Sequence, residues 1–343
     1  GRSAMWAFAN RNKRGITLDL DRLEGQELFR RIVPAFDVLV ENFTPDLRAR
    51  RHCTYDELAA LHPGLVVVSV SCYGLSGPYA SRPGAGTLAE AFAGLTHMTG
   101  EADGAPMLPS IPLGDTLTGI VGALGAVVAC YHRSRGGEGQ LVDVSMYEPV
   151  LQLLGSTLAA WEPGAPAPSR TGSRVPNGVP RNVYRSADGQ WLVVSGTTDA
   201  QVARVLRVIG MDTPDARERF GTSDARVRVA DELDALVAQW IARHDRDDVV
   251  RALLDARVPV APVNDLDALL ADPHVIARGD IVRVVGEGLG PLTMPAPAPR
   301  LGATPGEIRA LGPDRGAHNE QVYGELLRID AAELARLRDA GAV

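Results

Sequence analysis

Apolar and polar positions in the first 150 residues switch between two periods. Residues 15–20 (GITLDL) alternate as a strand does, and 25–33 read as a helix with Asp21 or Glu24 near its start. Residues 36–42 (FDVLVEN) form a short buried strand, and 55–61 (YDELAAL) a helix. Residues 65–71 (LVVVSVS) are an unbroken β-branched run, the pattern of a strand covered on both faces. This βαβ rhythm predicts a parallel, doubly wound sheet, so the expected fold class is α/β. A long apolar helix rich in Gly and Ala follows at 116–133. A turn at 135–139, a strand at 141–145 and a second buried helix at 146–161 complete the segment.

The pattern then breaks. Residues 162–180 (EPGAPAPSRTGSRVPNGVP) are dense in Pro, Gly and Ser and predict a crossing linker, taken as 162–182. A hairpin is expected at 183–195 about Asp188-Gly189. Amphipathic helices are expected at 232–243 and 247–256. The expected division is a large domain over 1–161 and a smaller α+β domain over 183–285. A closing segment over 286–343 is Pro-rich at 291–301 and ends in a helix at 331–340.

Composition narrows the function. Of 343 residues, 45% are apolar and 22% charged, the balance of a soluble globular protein with a sizeable core. The net charge of −7 disfavours nucleic acid and anionic membrane as partners. Cys53, Cys72 and Cys130 form no CxxC pair, so neither a zinc knuckle nor a disulfide framework is expected, and a cytoplasmic location fits. There is no run of 18 apolar residues and no pattern of a signal peptide. The chain opens on Gly1 and reads as a clipped piece of a longer protein.

Candidate chemistry centres on residues 111–119 (IPLGDTLTG). Asp115 falls just before the long helix, where a carboxylate accepts hydrogen bonds from free backbone N–H groups. As a plain N-cap it would contribute about 0.5–2 kcal/mol. The same place suits a nucleophile, because the positive end of the helix favours the ionised carboxylate, and that is the form of an aspartate that attacks an acyl carbon. Gly114, Thr116 and Gly119 leave room for a substrate. Two basic clusters, 10–14 (NRNKR) and Arg48 with Arg50 and Arg51, are either solvated surface or phosphate contacts. No HExxH, Walker A or GxSxG motif is present, and none of the seven histidines has ligand spacing to another, so no metal is expected. Gly136, Gly137 and Gly139 precede a strand, the wrong context for a dinucleotide loop.

Together these pieces resemble the class III CoA-transferase family, which includes formyl-CoA transferase, carnitine CoA-transferase and α-methylacyl-CoA racemase. The resemblance runs through Asn12-Lys13-Arg14 with ITLDL, Glu41-Asn42-Phe43, His62-Pro63 before LVVVSVS, Tyr73-Gly74 and Gly77-Pro78. It continues through Gly114-Asp115-Thr116, RSRGGEGQLVDV at 133–144, RTGS at 170–173, Asp188-Gly189, Asp272-Pro273-His274 and Thr304-Pro305-Gly306. Single pieces are weak signals; their order and spacing are specific.

The resemblance implies a Rossmann-like large domain, a small domain, a C-terminal return to the large domain and an interlocked homodimer. It implies transfer of CoA from an acyl-CoA to a free carboxylic acid, with CoA as substrate and no cofactor. The family's covalent aspartate falls on Asp115. Its CoA-binding positions fall on Leu18, Asp19, Leu20 and Asp21, on Asn42, Phe43 and Thr44, on Arg50, and on Pro83, Gly84, Ala85 and Gly86. Arg82 and Glu90 are charges near the site. Family members usually carry a further strand–helix–strand before the NKR segment. The racemases carry a His-Asp pair where this chain has Ala85 and Gly86, neither of which moves a proton. Residues 171–178 stand in place of a glycine-rich lid. The competing readings are a racemase of the same fold and a CoA-binding fragment without activity.

Overall fold

The β-branched run is the middle of a parallel sheet. In the computed structural model, which describes residues 3–175, 178–286 and 288–343, β1 (Val38–Glu41), β2 (Val66–Ser71) and β3 (Leu141–Ser145) lie in the order β1-β2-β3. Val38 pairs with Val66, and Val67 with Leu141. The period of two sends successive valines to opposite faces. Val67, with Leu65, packs on Val33 and Leu58 from one side. Val66 and Val68 pack with Val144 on Ala129 of the long helix from the other. The expected α/β class with a parallel sheet is therefore what the chain forms.

That long helix spans Leu113–Ser134. Its small face, Gly122, Gly125, Ala126 and Ala129, lies on the sheet against Val68, Val142 and Val144. Its large residues point away: Ile120, Leu124, Val127 and Tyr131 are each about 60% exposed or more (61%, 61%, 66% and 62%). By length and composition it is the one helix among the described residues that could cross a membrane.

The chain divides into two units. One comprises Gly1–Leu95, Pro109–Ala159 and Asp272–Val343; the other comprises Thr96–Leu108 and Ala160–Ala271. The second holds the antiparallel sheet β4 (Arg181–Arg185), β5 (Trp191–Ser195) and β6 (Val260–Pro262), with the predicted hairpin between β4 and β5. Its core gathers Tyr184, Leu192 and Val194 from the sheet with Val205, Phe220, Leu233, Val237 and Leu253 from the helices. The division departs from the expected boundaries: residues 160 and 161 and the linker fall in the second unit. Residues 96–108 group with the second unit, and 272–285 with the first. Of the expected lid at 171–178, Pro176 and Asn177 lie outside the described residues.

Three expected elements differ. Residues 15–20 pair with no strand among the described residues. Their backbone groups are taken by C-terminal residues: Gly15 N–H donates to His318 Nδ1, Thr17 N–H to Asn319 Oδ1, and Asp19 N–H to the Ala342 carbonyl. The Tyr323 hydroxyl donates to the Thr17 carbonyl. The alternation of Ile16 and Leu18 reflects packing on the C-terminal helices Asn319–Leu327 and Ala331–Asp339. The expected helix at 146–161 is two short ones, Tyr147–Leu153 and Gly155–Ala160, and Leu153, Leu158 and Trp161 are exposed rather than buried. The Pro-rich stretch begins as a strand: β7 (Ile281–Gly286) pairs antiparallel with β8 (Gly290–Pro295). A two-stranded ribbon has free edges, where a proline lacking its N–H is tolerated.

Candidate active site

Asp115 is not the N-cap of the long helix. Pro112 occupies that position without a side-chain bond, and Asp115 is the third residue of the first turn. Its carboxylate is exposed and has no ion-pair or hydrogen-bond partner among the described residues. The expected capping contribution is therefore absent. What remains is a free carboxylate within one turn of a helix N-terminus, whose partial positive charge attracts anions.

The floor beside it is the start of the helix Gly86–Phe92. Gly86 is buried and lies against Asp115: a methyl group at 86 would come within 2.2 Å of Asp115 Oδ2 and 2.8 Å of the Asp115 amide nitrogen. Gly114 approaches as closely from its side, with the Gly86 carbonyl 2.7 Å from where its Cβ would be. The segment Pro83-Gly84-Ala85-Gly86 also packs on Cys72, just beyond the carboxyl end of β2, whose thiol faces the Ala85 carbonyl at 3.7 Å. Burial, with a smaller contribution from the Asp115 charge, pushes the Cys72 thiol up. Tyr73, Phe92 and Tyr147 stack edge to face, at 5.2 and 5.1 Å between neighbouring ring centroids, and brace the same helix.

The three adjacent arginines have separate fates. Arg48 is nearly buried and bonds Glu41 at 3.0 Å and the Phe43 carbonyl at 3.1 Å. Glu41 also accepts from Ser69 and from the Phe43 N–H, which fixes the turn Asn42-Phe43-Thr44 at the carboxyl end of β1. Burial raises the Glu41 carboxyl above its ordinary range, and the Phe43 amide and Arg48 oppose that rise. Arg51 grips Asp21 through two bonds of 3.0 and 2.9 Å and lies over the Phe43 ring. Its hydrogen bond holds the Asp21 carboxyl below the usual range. Arg50 is held more loosely: its side chain is 66% exposed, and its ion pair with Asp21 is long, at 3.9 Å. The Gln26 amide, bonded to the carbonyls of Leu20 and Arg50, joins the two segments.

The sequence-predicted positions thus fall into two groups in one unit. Asp21 and Phe43 meet at Arg51, and Gln26 ties Leu20 to Arg50, so residues 19–21 gather with Asn42, Phe43, Thr44 and Arg50, while Leu18 packs on the C-terminal helices. Pro83, Gly84, Ala85 and Gly86 gather with Asp115. Both groups lie off the carboxyl ends of parallel strands, where open α/β sheets bind ligands. The NRNKR segment does not join them. Arg11 donates to the Pro295 carbonyl, Lys13 to the Ala9 carbonyl and Asn10, and Arg14 pairs with Glu325 at 2.6 Å. That motif ties the chain together and offers no free basic patch.

The profile of CoA-transferase family III matches residues 1–319. The chain belongs to CoA-transferase family III. It is 37% identical to the succinyl-CoA--D-citramalate CoA-transferase of Chloroflexus aurantiacus, over 98% of this chain and 84% of that one. It is 31% identical to the succinate--glutarate CoA-transferase of Agrobacterium fabrum, over 96% and 82%. A CAIB/BAIF family protein from Brucella suis has the same fold, with a TM-score of 0.80 and 28% identity over 94% and 84%.

In this family III CoA-transferase, the roles of Gln26 and Cys72 escaped the sequence reading, and Arg51 and Glu90 were named in it without the contacts they make. Gln26 and Arg51 look like ordinary helix and surface residues; only their partners reveal them. Cys72 carried no spacing signal. Glu90, read as a charge near the site, is 2% exposed and accepts the Gly114 N–H at 2.8 Å. Arg82 is exposed, and its guanidinium lies 3.4 Å from the centroid of the Tyr79 ring.

Proposed function

We propose that this CoA-transferase works through a covalent intermediate on Asp115, with small dicarboxylic acids as its acyl groups. The observation that carries the reading is the exposed Asp115 carboxylate, unpartnered among the described residues, in the first turn of the long helix and set against a glycine. The dicarboxylate class follows the relatives named for succinyl-CoA, D-citramalate and glutarate.

Asp115 attacks the donor thioester carbonyl and expels CoA thiolate, leaving an acyl-aspartyl anhydride. The thiolate attacks the aspartyl carbonyl and releases the donor acid, leaving an aspartyl-CoA thioester. The acceptor carboxylate then displaces the thiolate, and the thiolate attacks the new acyl carbonyl, freeing Asp115 and forming the product acyl-CoA. Splitting one hard exchange into easier steps lets one pocket handle the two acids in turn. Hydroxylamine added with succinyl-CoA and no acceptor should leave a hydroxamate on the peptide containing Asp115, read as a mass shift. An enzyme that turns over while this peptide stays unmodified refutes the covalent route.

Arg50 is assigned to a CoA phosphate, because a guanidinium forks onto phosphate and this one has spare donors. Arg50→Ala should weaken CoA binding by about 1.5–3 kcal/mol, equally for every acyl group. Calorimetry showing unchanged affinity returns Arg50 to plain surface.

The active form is a cytoplasmic homodimer in this proposal. Ile120, Leu124, Val127 and Tyr131 recur at helical spacing as one exposed apolar stripe, and a second copy would cover it. Leu124→Glu should shift the molecule from dimer to monomer in sedimentation equilibrium. A wild-type monomer at micromolar concentration removes the dimer from the proposal.

A further inference from the structure

We infer that Glu90 is the positioning residue that holds Asp115 in its attacking geometry. The inference rests on the aspartyl reading above and adds a residue to it. Glu90 and Gly86 are four apart on one helix and so share a face. Gly86 presses on Asp115 itself, and Glu90 takes the N–H of the residue before it. The helix Gly86–Phe92 therefore clamps the first turn of the long helix at two points around the nucleophile.

The other ties of that turn are local. Leu113 N–H donates to the Ile111 carbonyl at 2.8 Å, and Thr116 N–H to the Pro112 carbonyl at 3.0 Å. The Thr118 hydroxyl donates to the Gly114 carbonyl at 2.6 Å. Proline at the cap position offers no side-chain acceptor. Among the described residues, Glu90 is the one side chain from another element bonded to this turn. A carboxylate buried to 2% needs such a partner, and a helix N-terminus supplies a charge-assisted one. Ser, Thr, Asp or Asn at 112 would cap the helix equally well as a helix. An acceptor delivered from residue 90 does something more: it fixes the turn, and Asp115 on it, relative to the 83–86 segment.

Three variants test this by the rate of hydroxamate formation and by kcat, with CoA affinity measured separately. Glu90→Ala should slow both rates by about 100-fold, the effect of a misplacement near 1 Å, while CoA affinity stays within about twofold, since the Glu90 side chain bonds Gly114, which is not one of the proposed CoA-binding positions. Glu90→Gln keeps an acceptor oxygen at the same reach and should restore most of the rate. Glu90→Asp withdraws the oxygen by one methylene and should stay slow, and it serves if the alanine protein fails to fold. Folded Glu90→Ala or Glu90→Asp enzyme labelling and turning over at the wild-type rate overturns the inference, as does Glu90→Gln as slow as Glu90→Asp. If the wild-type enzyme itself turns over without labelling, the aspartyl reading has failed instead, and the two failures remain distinct.

Discussion

Asp115→Ala is expected to lower the rate of CoA transfer on the order of 10⁴-fold or more, the scale seen when a nucleophile is removed. The same change should leave the fold almost untouched. Asp115 is exposed, bonds nothing among the described residues and does not cap its helix, so its loss falls within about 0.5 kcal/mol. Asp115→Asn, which keeps the shape but has no carboxylate to attack with, should be as inactive. New acyl-CoA formed from succinyl-CoA and D-citramalate or glutarate, resolved by chromatography, gives the rate; thermal unfolding gives the stability. A folded Asp115→Ala enzyme with near-normal turnover would falsify the assignment. A protein that lost both activity and fold would show instead that Asp115 is structural.

The parts of this fold legible in the sequence are those whose pattern has a local cause. The run at 66–71 reads as a buried strand because both faces of one strand are covered, and helix Tyr55–Leu61 is announced by the capping pair Thr54 and Glu57. The misreadings share a non-local cause. GITLDL alternates like a strand, yet its hydrogen-bonding partners lie some 300 residues away on His318, Asn319 and Tyr323. Asp115 looks like a cap because Pro112, Leu113 and Gly114 carry no sign that the helix starts two residues earlier, with Glu90 supplying the missing acceptor. Arg48, Arg50 and Arg51 are equivalent in sequence. Glu41 claims the first and Asp21 grips the third, which leaves the second more exposed and in a longer pair with that same Asp21. The candidate nucleophile was thus visible as a residue, while the clamp around it was not.

Gly86 gives the second large effect. Gly86→Ala is expected to lower turnover and hydroxamate labelling on the order of 100-fold, through displacement of Asp115 by about an ångström. The new methyl group would meet Asp115 Oδ2 at 2.2 Å and Cγ at 2.6 Å; that much a rotating side chain relieves. It would also meet the Asp115 amide nitrogen at 2.8 Å, which is backbone, so the first turn of the long helix must shift as well. Overpacking of this kind costs about 1–3 kcal/mol, and alanine's better helix propensity offsets at most about 1 kcal/mol of it. A side chain larger than methyl, such as the acid of the racemase pair, would require a larger shift. Gly155→Ala, in the same unit and with open space at its Cβ position, is the control and should keep its activity. If folded Gly86→Ala enzyme labels Asp115 and turns over like the wild type, the close fit of residue 86 does not set the position of the reacting carboxylate.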